Sequence, residues 1–167
     1  MSGAILIISS GRAKKVQGFS SYICAPQLFE MVYITRRERF SAAHMLKRDE
    51  WSEEKNAEIF GKCSNPNWHG HNYDLFVTVK GEVNTETGFV ANLSDVGKVV
   101  KNSVIKWVDH KNLNLDVPFM KGRLTSTENL AMAIWEQIQP EINKLGCELH
   151  CVKLQETENN YVEYYGN

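Results

Sequence analysis

Two histidines separated by one residue, His69 and His71, are the part of this sequence best suited to metal chemistry. They open an alternating polar and apolar segment that runs on through Tyr73, which predicts a β-strand. Alternate side chains of a strand share one face, so both imidazoles can reach the same metal ion. His44 ends another predicted strand and is the natural third ligand. Three histidines with an open fourth position are typical of a catalytic zinc site.

Cys63 lies six positions before His69, and three roles are open to it. It could be the fourth ligand of a closed structural zinc site. It could be a base or nucleophile beside the metal, because a cation such as the adjacent Lys62 favours the thiolate form. It could also be an ordinary buried cysteine. The spacing alone does not separate these roles.

Several other polar residues are candidates for catalysis or binding. A carboxylate such as Asp109 can orient the imidazole of His110 for proton relay to a thiol. Glu156 follows the last long strand, where a solvated charge is the simpler interpretation. Glu128 either forms a capping box with Thr125 or binds the NH and amino edge of a guanine-like ring through two hydrogen bonds.

The elements expected around these residues make an α+β domain. We predict strands at residues 32–44, 69–83, 149–155 and 161–165, helices at 53–60, 93–108 and 126–140, and a hairpin through 84–88 that returns along 89–91. This order predicts an antiparallel sheet with helices. Residues 1–30 show no clear period, so we expect a poorly ordered N-terminal extension to a single domain at 31–167.

The composition argues against several classes of function. With 167 residues, 43% of them hydrophobic, the chain can bury the core of one domain. Nineteen basic and 20 acidic residues give a formal charge of -1, which argues against a nucleic-acid or membrane partner. Four scattered cysteines and the lack of a long apolar run predict a soluble, cytoplasmic protein. The lack of a G-x-G-x-x-G motif and of a P-loop argues against dinucleotide or ATP chemistry.

Taken together, these motifs resemble the 6-pyruvoyltetrahydropterin synthase family. The resemblance runs from about residue 32 to the C-terminus and rests on His44, Cys63, His69-Gly70-His71-Asn72-Tyr73, Asp109-His110-Lys111-Asn112-Leu113, Ser126-Thr127-Glu128-Asn129 and Glu156-Thr157. Five residues separate Cys63 from His69, more than is usual in the sister 6-carboxytetrahydropterin synthases. The gap therefore favours the pyruvoyl-forming branch.

The resemblance implies a tunnelling fold. Each subunit would supply a four-stranded antiparallel sheet with two helices on one face, and three subunits would close a twelve-stranded barrel. Two stacked trimers would make a homohexamer whose active sites lie between subunits.

The resemblance also implies a reaction: a zinc-dependent lyase of tetrahydrobiopterin biosynthesis converts 7,8-dihydroneopterin triphosphate to 6-pyruvoyltetrahydropterin and triphosphate. The implied zinc ligands are His44, His69 and His71, the implied catalytic residues are Cys63, Asp109, His110 and Glu156, and the implied substrate-binding residues are Ser126, Thr127 and Glu128. Mg2+ as a second metal is left open. The alternatives are the carboxytetrahydropterin activity and a non-catalytic, zinc-stabilised binding protein.

One position departs from the family pattern. The residue before the first histidine of the pair is usually glycine there and is Trp68 in this chain. If the backbone at this position needs a positive φ, tryptophan is strained. We therefore expect the loop that carries Cys63 to follow another path.

Overall fold

A computed structural model describes residues 30–166 of the chain. The strands are β1 (Val32–His44), β2 (His69–Gly81), β3 (Lys111–Asn112), β4 (Glu148–Gln155) and β5 (Tyr161–Tyr164). The helices are α1 (Glu53–Phe60), α2 (Leu93–Val100), α3 (Lys106–Val108) and α4 (Thr127–Asn143). Apart from its last residue, the extension predicted at 1–30 lies outside the described residues.

The five strands form one mixed sheet in the order β3-β1-β2-β4-β5. The four longer strands pair antiparallel, whereas β3 runs parallel to β1 beside Ala42 and Ala43. The prediction of a four-stranded, purely antiparallel sheet was therefore wrong. The edge of β1 presents unpaired backbone groups, and the chain leaving α3 uses them: Leu113 N–H donates to Ala43 O at 2.8 Å.

The prediction of a hairpin that returns along residues 89–91 was also wrong. Those residues form bends, not a strand. The side chain of Asn84 closes the turn by accepting from the N–H groups of Glu86 and Thr87 at 2.9 and 3.0 Å. The chain must then enter α2 at once, because Asn92 is already its N-cap and accepts from Ser94 N–H.

The helices follow the predicted pattern with two differences. A π-helical turn, Lys101–Ile105, joins α2 to α3, so that helical structure runs from Leu93 to Val108. Helix α4 continues past Pro140, where the sequence predicted its end. Proline removes one helical hydrogen bond, but Ile142 in the next turn is fully buried, and we attribute the continuation to that packing. None of the helices within residues 30–166 is long and apolar enough to cross a membrane.

The core lies between one face of the sheet and the helices α2 and α4. Alternate residues of β2 and the inner side of α4 are fully buried there, among them Leu75, Val77, Val79, Leu130, Ile134 and Ile138. Burying a side chain of this size stabilises the fold by about 1.5–3 kcal/mol. The same face of β2 continues through Tyr73 to His71 and His69. The packed core therefore ends at the two histidines of the His-x-His motif.

Candidate metal centre and active site

The three predicted metal ligands come together at one end of the buried sheet face. The antiparallel register places His44 opposite His69, and His71 lies two residues further along the same face of β2. One ring nitrogen of each histidine lies within 4.8 Å of one from each of the others. The ring centroids of His44 and His69 are 4.4 Å apart, and that of His71 lies 5.2 and 5.0 Å from theirs.

The tautomer of His44 follows from its surroundings. Nδ1 of His44 lies 2.7 Å from the backbone carbonyl oxygen of Thr125, and both residues are buried. A carbonyl oxygen can only accept a hydrogen bond, so Nδ1 carries the proton. Nε2 of His44 therefore presents its lone pair towards the other two histidines.

Several ring nitrogens at this site are shielded from solvent without a partner. Among the described residues, Nε2 of His44 and both ring nitrogens of His69 make no hydrogen bond. Buried polar groups almost always have a hydrogen-bond partner, and an exception calls for an explanation such as an ion. A divalent metal bound by the three imidazoles, with one open position, would satisfy Nε2 of His44 and one ring nitrogen of His69.

Burial tunes all three histidines for metal binding. It is the main cause that lowers the pKa of His44, His69 and His71 below the ordinary value. In His44 this effect outweighs the hydrogen bond to the Thr125 carbonyl, which favours the charged ring. Imidazole must be neutral to bind a metal. The lowered pKa values therefore favour the neutral imidazoles, the form that can bind a metal.

Glu156 lies beside the histidines and is not a solvated strand-end charge. Its Oε1 is 3.7 Å from Nε2 of both His44 and His71, and the side chain is 20% exposed. The same oxygen accepts from the hydroxyl of Thr127 at 2.8 Å and from that of Tyr73 at 3.4 Å. Two hydroxyl groups thus hold one carboxylate oxygen beside the candidate metal ligands.

Tyr73 is a site residue that the sequence analysis did not single out. Its side chain is 1% exposed and stacks on Phe40, with ring centroids 4.9 Å apart. Burial, and then the charge of Glu156, raises the pKa of its hydroxyl far above the ordinary value. Tyr73 therefore stays protonated and can donate to Glu156. Its position in the sequence could have identified it as a site residue, because it shares a strand face with His69 and His71.

Cys63 is half-buried and lies outside the group of three histidines. It sits in a short 3-10 helix, Gly61–Ser64, and its backbone carbonyl accepts from Leu46 N–H at 2.8 Å. Leu46 lies two residues after His44, so this hydrogen bond holds the Cys63 segment beside the end of β1. The described residues therefore contain a three-histidine group without Cys63, not a closed site with four ligands.

Asp109 and His110 form a pair at the edge of the sheet. Oδ1 of Asp109 accepts from Ser41 N–H at 2.9 Å and lies 3.0 Å from Nδ1 of His110. The bond from Ser41 is the main cause that lowers the pKa of Asp109. His110 is 81% exposed, and within residues 30–166 no hydrogen bond links it to Cys63. It lines an open concavity of about 530 Å3 together with His71.

The start of α4 differs from the capping box considered above. Ser126, not Thr125, is the N-cap, and its hydroxyl accepts from Asn129 N–H at 3.4 Å. Glu128 is therefore the second residue of the helix and lies exposed. The capping-box interpretation of Glu128 was wrong. Of the three residues predicted to bind substrate, Thr127 contacts the metal-centre network through Glu156.

Trp68 has a positive φ, the condition under which the sequence analysis expected strain. Its φ is 65°, in the left-handed region that non-glycine residues rarely adopt. The strain expected at this position therefore lies in the tryptophan itself, and the altered path of the loop stays a prediction. His110, with a φ of 57°, is the other non-glycine residue with a positive φ among those described. Such strain clusters at functional sites.

We expect Trp68→Gly to be more stable than Trp68→Ala by about 1–2 kcal/mol, because glycine has no Cβ to clash in the left-handed region. Both changes remove the indole, so their difference isolates the backbone strain. Urea unfolding of the two variants measures it. Equal stability, or a more stable alanine variant, would show that the backbone at this position is unstrained.

The family model, the related sequences and a solved structure all indicate the same protein family. The family model described as "6-pyruvoyl tetrahydropterin synthase" matches residues 33–167. A human protein named "6-pyruvoyl tetrahydrobiopterin synthase" is 45% identical over 133 residues, which span 80% of this chain and 90% of that protein. One of the same name from Dictyostelium discoideum is 46% identical and covers 81% of this chain and 96% of its own. The structure of Caenorhabditis elegans 6-pyruvoyl tetrahydropterin synthase superposes with a TM-score of 0.78 at 37% identity, covering 83% and 98% of the two chains.

Proposed function

The chain belongs to the 6-pyruvoyl tetrahydropterin synthase family, and we propose that it is a zinc-dependent lyase acting on 7,8-dihydroneopterin triphosphate. The products are 6-pyruvoyltetrahydropterin and triphosphate, within tetrahydrobiopterin synthesis. One observation carries the proposal: three imidazoles lie within 4.8 Å of one another in a chain that matches this family over almost all of its described length. One of them is buried and two are half-buried, and ring nitrogens of His44 and His69 have no hydrogen-bond partner among the described residues.

The residues present suit zinc as the metal. His44, His69 and His71 would hold it, and the open fourth position would take the hydroxyl groups of the substrate side chain. Bound zinc acts there as a Lewis acid that polarises these hydroxyls and acidifies the neighbouring C–H groups. The donor set contains nitrogen alone, which suits zinc better than the oxygen-preferring Mg2+.

Cys63 is the proposed base. Loss of triphosphate breaks a C–O bond and takes a proton from the adjacent carbon, and the thiolate of Cys63 accepts that proton. Asp109 orients His110 through the 3.0 Å contact, which suits His110 for returning protons to substrate carbons. Oxidation of the side chain and reduction of the pterin ring balance within one molecule. No nicotinamide or other external reductant is therefore needed.

Glu156 and the start of α4 are proposed to complete the site. Glu156 receives hydrogen bonds from Thr127 and Tyr73 and faces two of the imidazoles, a position that suits a proton relay. Glu128 is exposed and free of the capping box, so its carboxylate is available to the NH and amino edge of the pterin ring. Ser126 and Thr127 lie directly before it.

Product analysis tests the reaction. Purified protein with zinc and 7,8-dihydroneopterin triphosphate should release triphosphate and form 6-pyruvoyltetrahydropterin, detected by chromatography. Release of acetaldehyde with a carboxylated pterin would replace the proposal by the sister activity. Zinc binding without turnover of either kind would support a binding protein instead.

We also propose a homohexamer in the cytoplasm, with active sites shared between subunits. The exposed His110 and the absence of any hydrogen bond between it and Cys63 within residues 30–166 support a site that needs a second copy. About one zinc per chain in a particle of about six chains is the expected composition.

Mixing two inactive variants tests whether the site is shared. We expect chains with Cys63→Ala and chains with His110→Ala, unfolded and refolded together, to recover part of the activity, because some mixed sites then contain both intact groups. Each variant refolded alone is the control. No recovery from an assembly shown by mass to contain both chains would place Cys63 and His110 of one site in the same subunit.

A further inference from the structure

We propose that Asn114 is a positioning residue for the metal centre: its side-chain amide holds together the two segments that orient His44. Among the described residues, Asn114 makes no hydrogen bond to the three imidazoles or to Cys63. It acts through Met45 and Thr125, the two residues that confine His44 from either side. The inference deepens the proposed function, on which it rests for the identity of the metal.

The amide of Asn114 uses both of its ends. Its Oδ1 accepts from Met45 N–H at 3.1 Å, and its Nδ2 donates to Met45 O at 2.9 Å. The hydroxyl of Thr125 lies 3.0 Å from the same Oδ1 and 3.1 Å from Met45 O, so its single proton serves one or shares the two. One side chain therefore bridges the residue after β1 and the residue before the N-cap of α4.

These two residues control the ring of His44. Met45 is its neighbour in sequence, so the amide clamps the backbone from which the imidazole projects. Thr125 supplies the carbonyl that accepts from Nδ1–H at 2.7 Å. That hydrogen bond decides which nitrogen carries the proton and directs Nε2 at the other ligands. Outer partners of this kind orient a metal-bound histidine and set its tautomer.

The loop around Asn114 is itself held at the sheet. Asn114 N–H donates to Oδ1 of Asn112 at 2.9 Å, and Asn112 N–H donates to Oδ2 of Asp116 at 2.9 Å. This turn directly follows β3, and Asn114 lies four residues after His110 in the sequence. The residue is exposed overall, so truncating its side chain removes the hydrogen bonds without opening a cavity in the core.

The test compares Asn114→Ala with a matched control, Asn84→Ala. Asn84 also closes a turn with its side chain, at the opposite end of β2 from the histidines. We expect Asn114→Ala to weaken zinc binding about 10–100-fold in chelator competition, and Asn84→Ala to leave it within twofold. NMR of metal-free protein should show His44 protonated at Nδ1 in wild type and a mixture of tautomers in Asn114→Ala.

A second pair of variants guards against a general loss of structure. Thr125→Val removes the hydroxyl but keeps the backbone carbonyl, and it should weaken zinc binding in the same direction. Thr125→Ser retains the hydroxyl and should restore most of the affinity. Unchanged zinc affinity and an unchanged His44 tautomer in Asn114→Ala would overturn the positioning role. If wild type binds no zinc, the proposed function fails, and the tautomer in metal-free Asn114→Ala alone supports or overturns the role of Asn114.

Discussion

The Cys63→Ala variant is expected to keep its zinc and to lose turnover by about 10²–10⁴-fold, the usual contribution of a positioned acid or base. The thiol lies outside the three-histidine group, so its removal leaves all three metal ligands in place. The fold should also survive. The hydrogen bond that ties this segment to Leu46 uses the backbone carbonyl of Cys63, which alanine retains.

Metal analysis and the rate of triphosphate release measure the two effects separately. Cys151→Ala is the matched control, because it removes a buried thiol that lies opposite Thr78, away from the histidines, and it should retain turnover. Loss of zinc together with activity in Cys63→Ala would make the cysteine a ligand. That result would favour a structural metal site.

For His69→Leu we expect opposite effects on the metal-free and zinc-loaded protein. Both ring nitrogens of His69 are shielded from solvent and have no hydrogen-bond partner among the described residues. An unpaired buried polar group costs about 1–3 kcal/mol, so an apolar side chain of similar size should leave the metal-free protein at least as stable. Zinc binding should weaken by more than about 100-fold, since even the loss of an outer partner costs 10–100-fold.

Thermal unfolding with chelator and with excess zinc measures both effects. Wild type should gain about 4 kcal/mol when free zinc exceeds the dissociation constant 1,000-fold, and His69→Leu should gain almost nothing. His150→Leu, on the opposite face of the sheet, should respond to zinc as wild type does. A clear zinc response in His69→Leu would remove His69 from the ligand set, and a marked loss of metal-free stability would contradict the unpaired state of its ring.

The histidines also show how far local patterns reach. Alternation along residues 69–79 predicts a strand with His69 and His71 on the apolar face, and β2 has that arrangement. The start and end signals of α1, Ser52 and Gly61, are likewise local and correctly predicted the helix. Hydrophobic periodicity and helix capping depend on neighbours within a few residues. Strands and helices can therefore be predicted from them without knowing the fold.

Local patterns could not predict the strand β3 or the contacts of Glu156. Strand β3 has only two residues and no period of its own, and it forms because the edge of β1 offers free backbone groups. Glu156 reaches the imidazoles because β4 pairs with β2 in a particular register. Chain position alone favoured a solvated charge there.

The amino-acid sequence by itself determined which histidines could bind a metal, the shared face of His69 and His71, the α+β class and the motifs that identify the family. Tertiary structure alone decided that His44 stands opposite His69, that the Thr125 carbonyl selects its tautomer, and that Tyr73 and Thr127 hold Glu156 at the site. The physical reason is the separation along the chain of the residues that interact. Side-chain type and strand period are local properties, whereas each of these contacts joins residues 25 or more positions apart, which only the register of the sheet and the packing of α4 bring together.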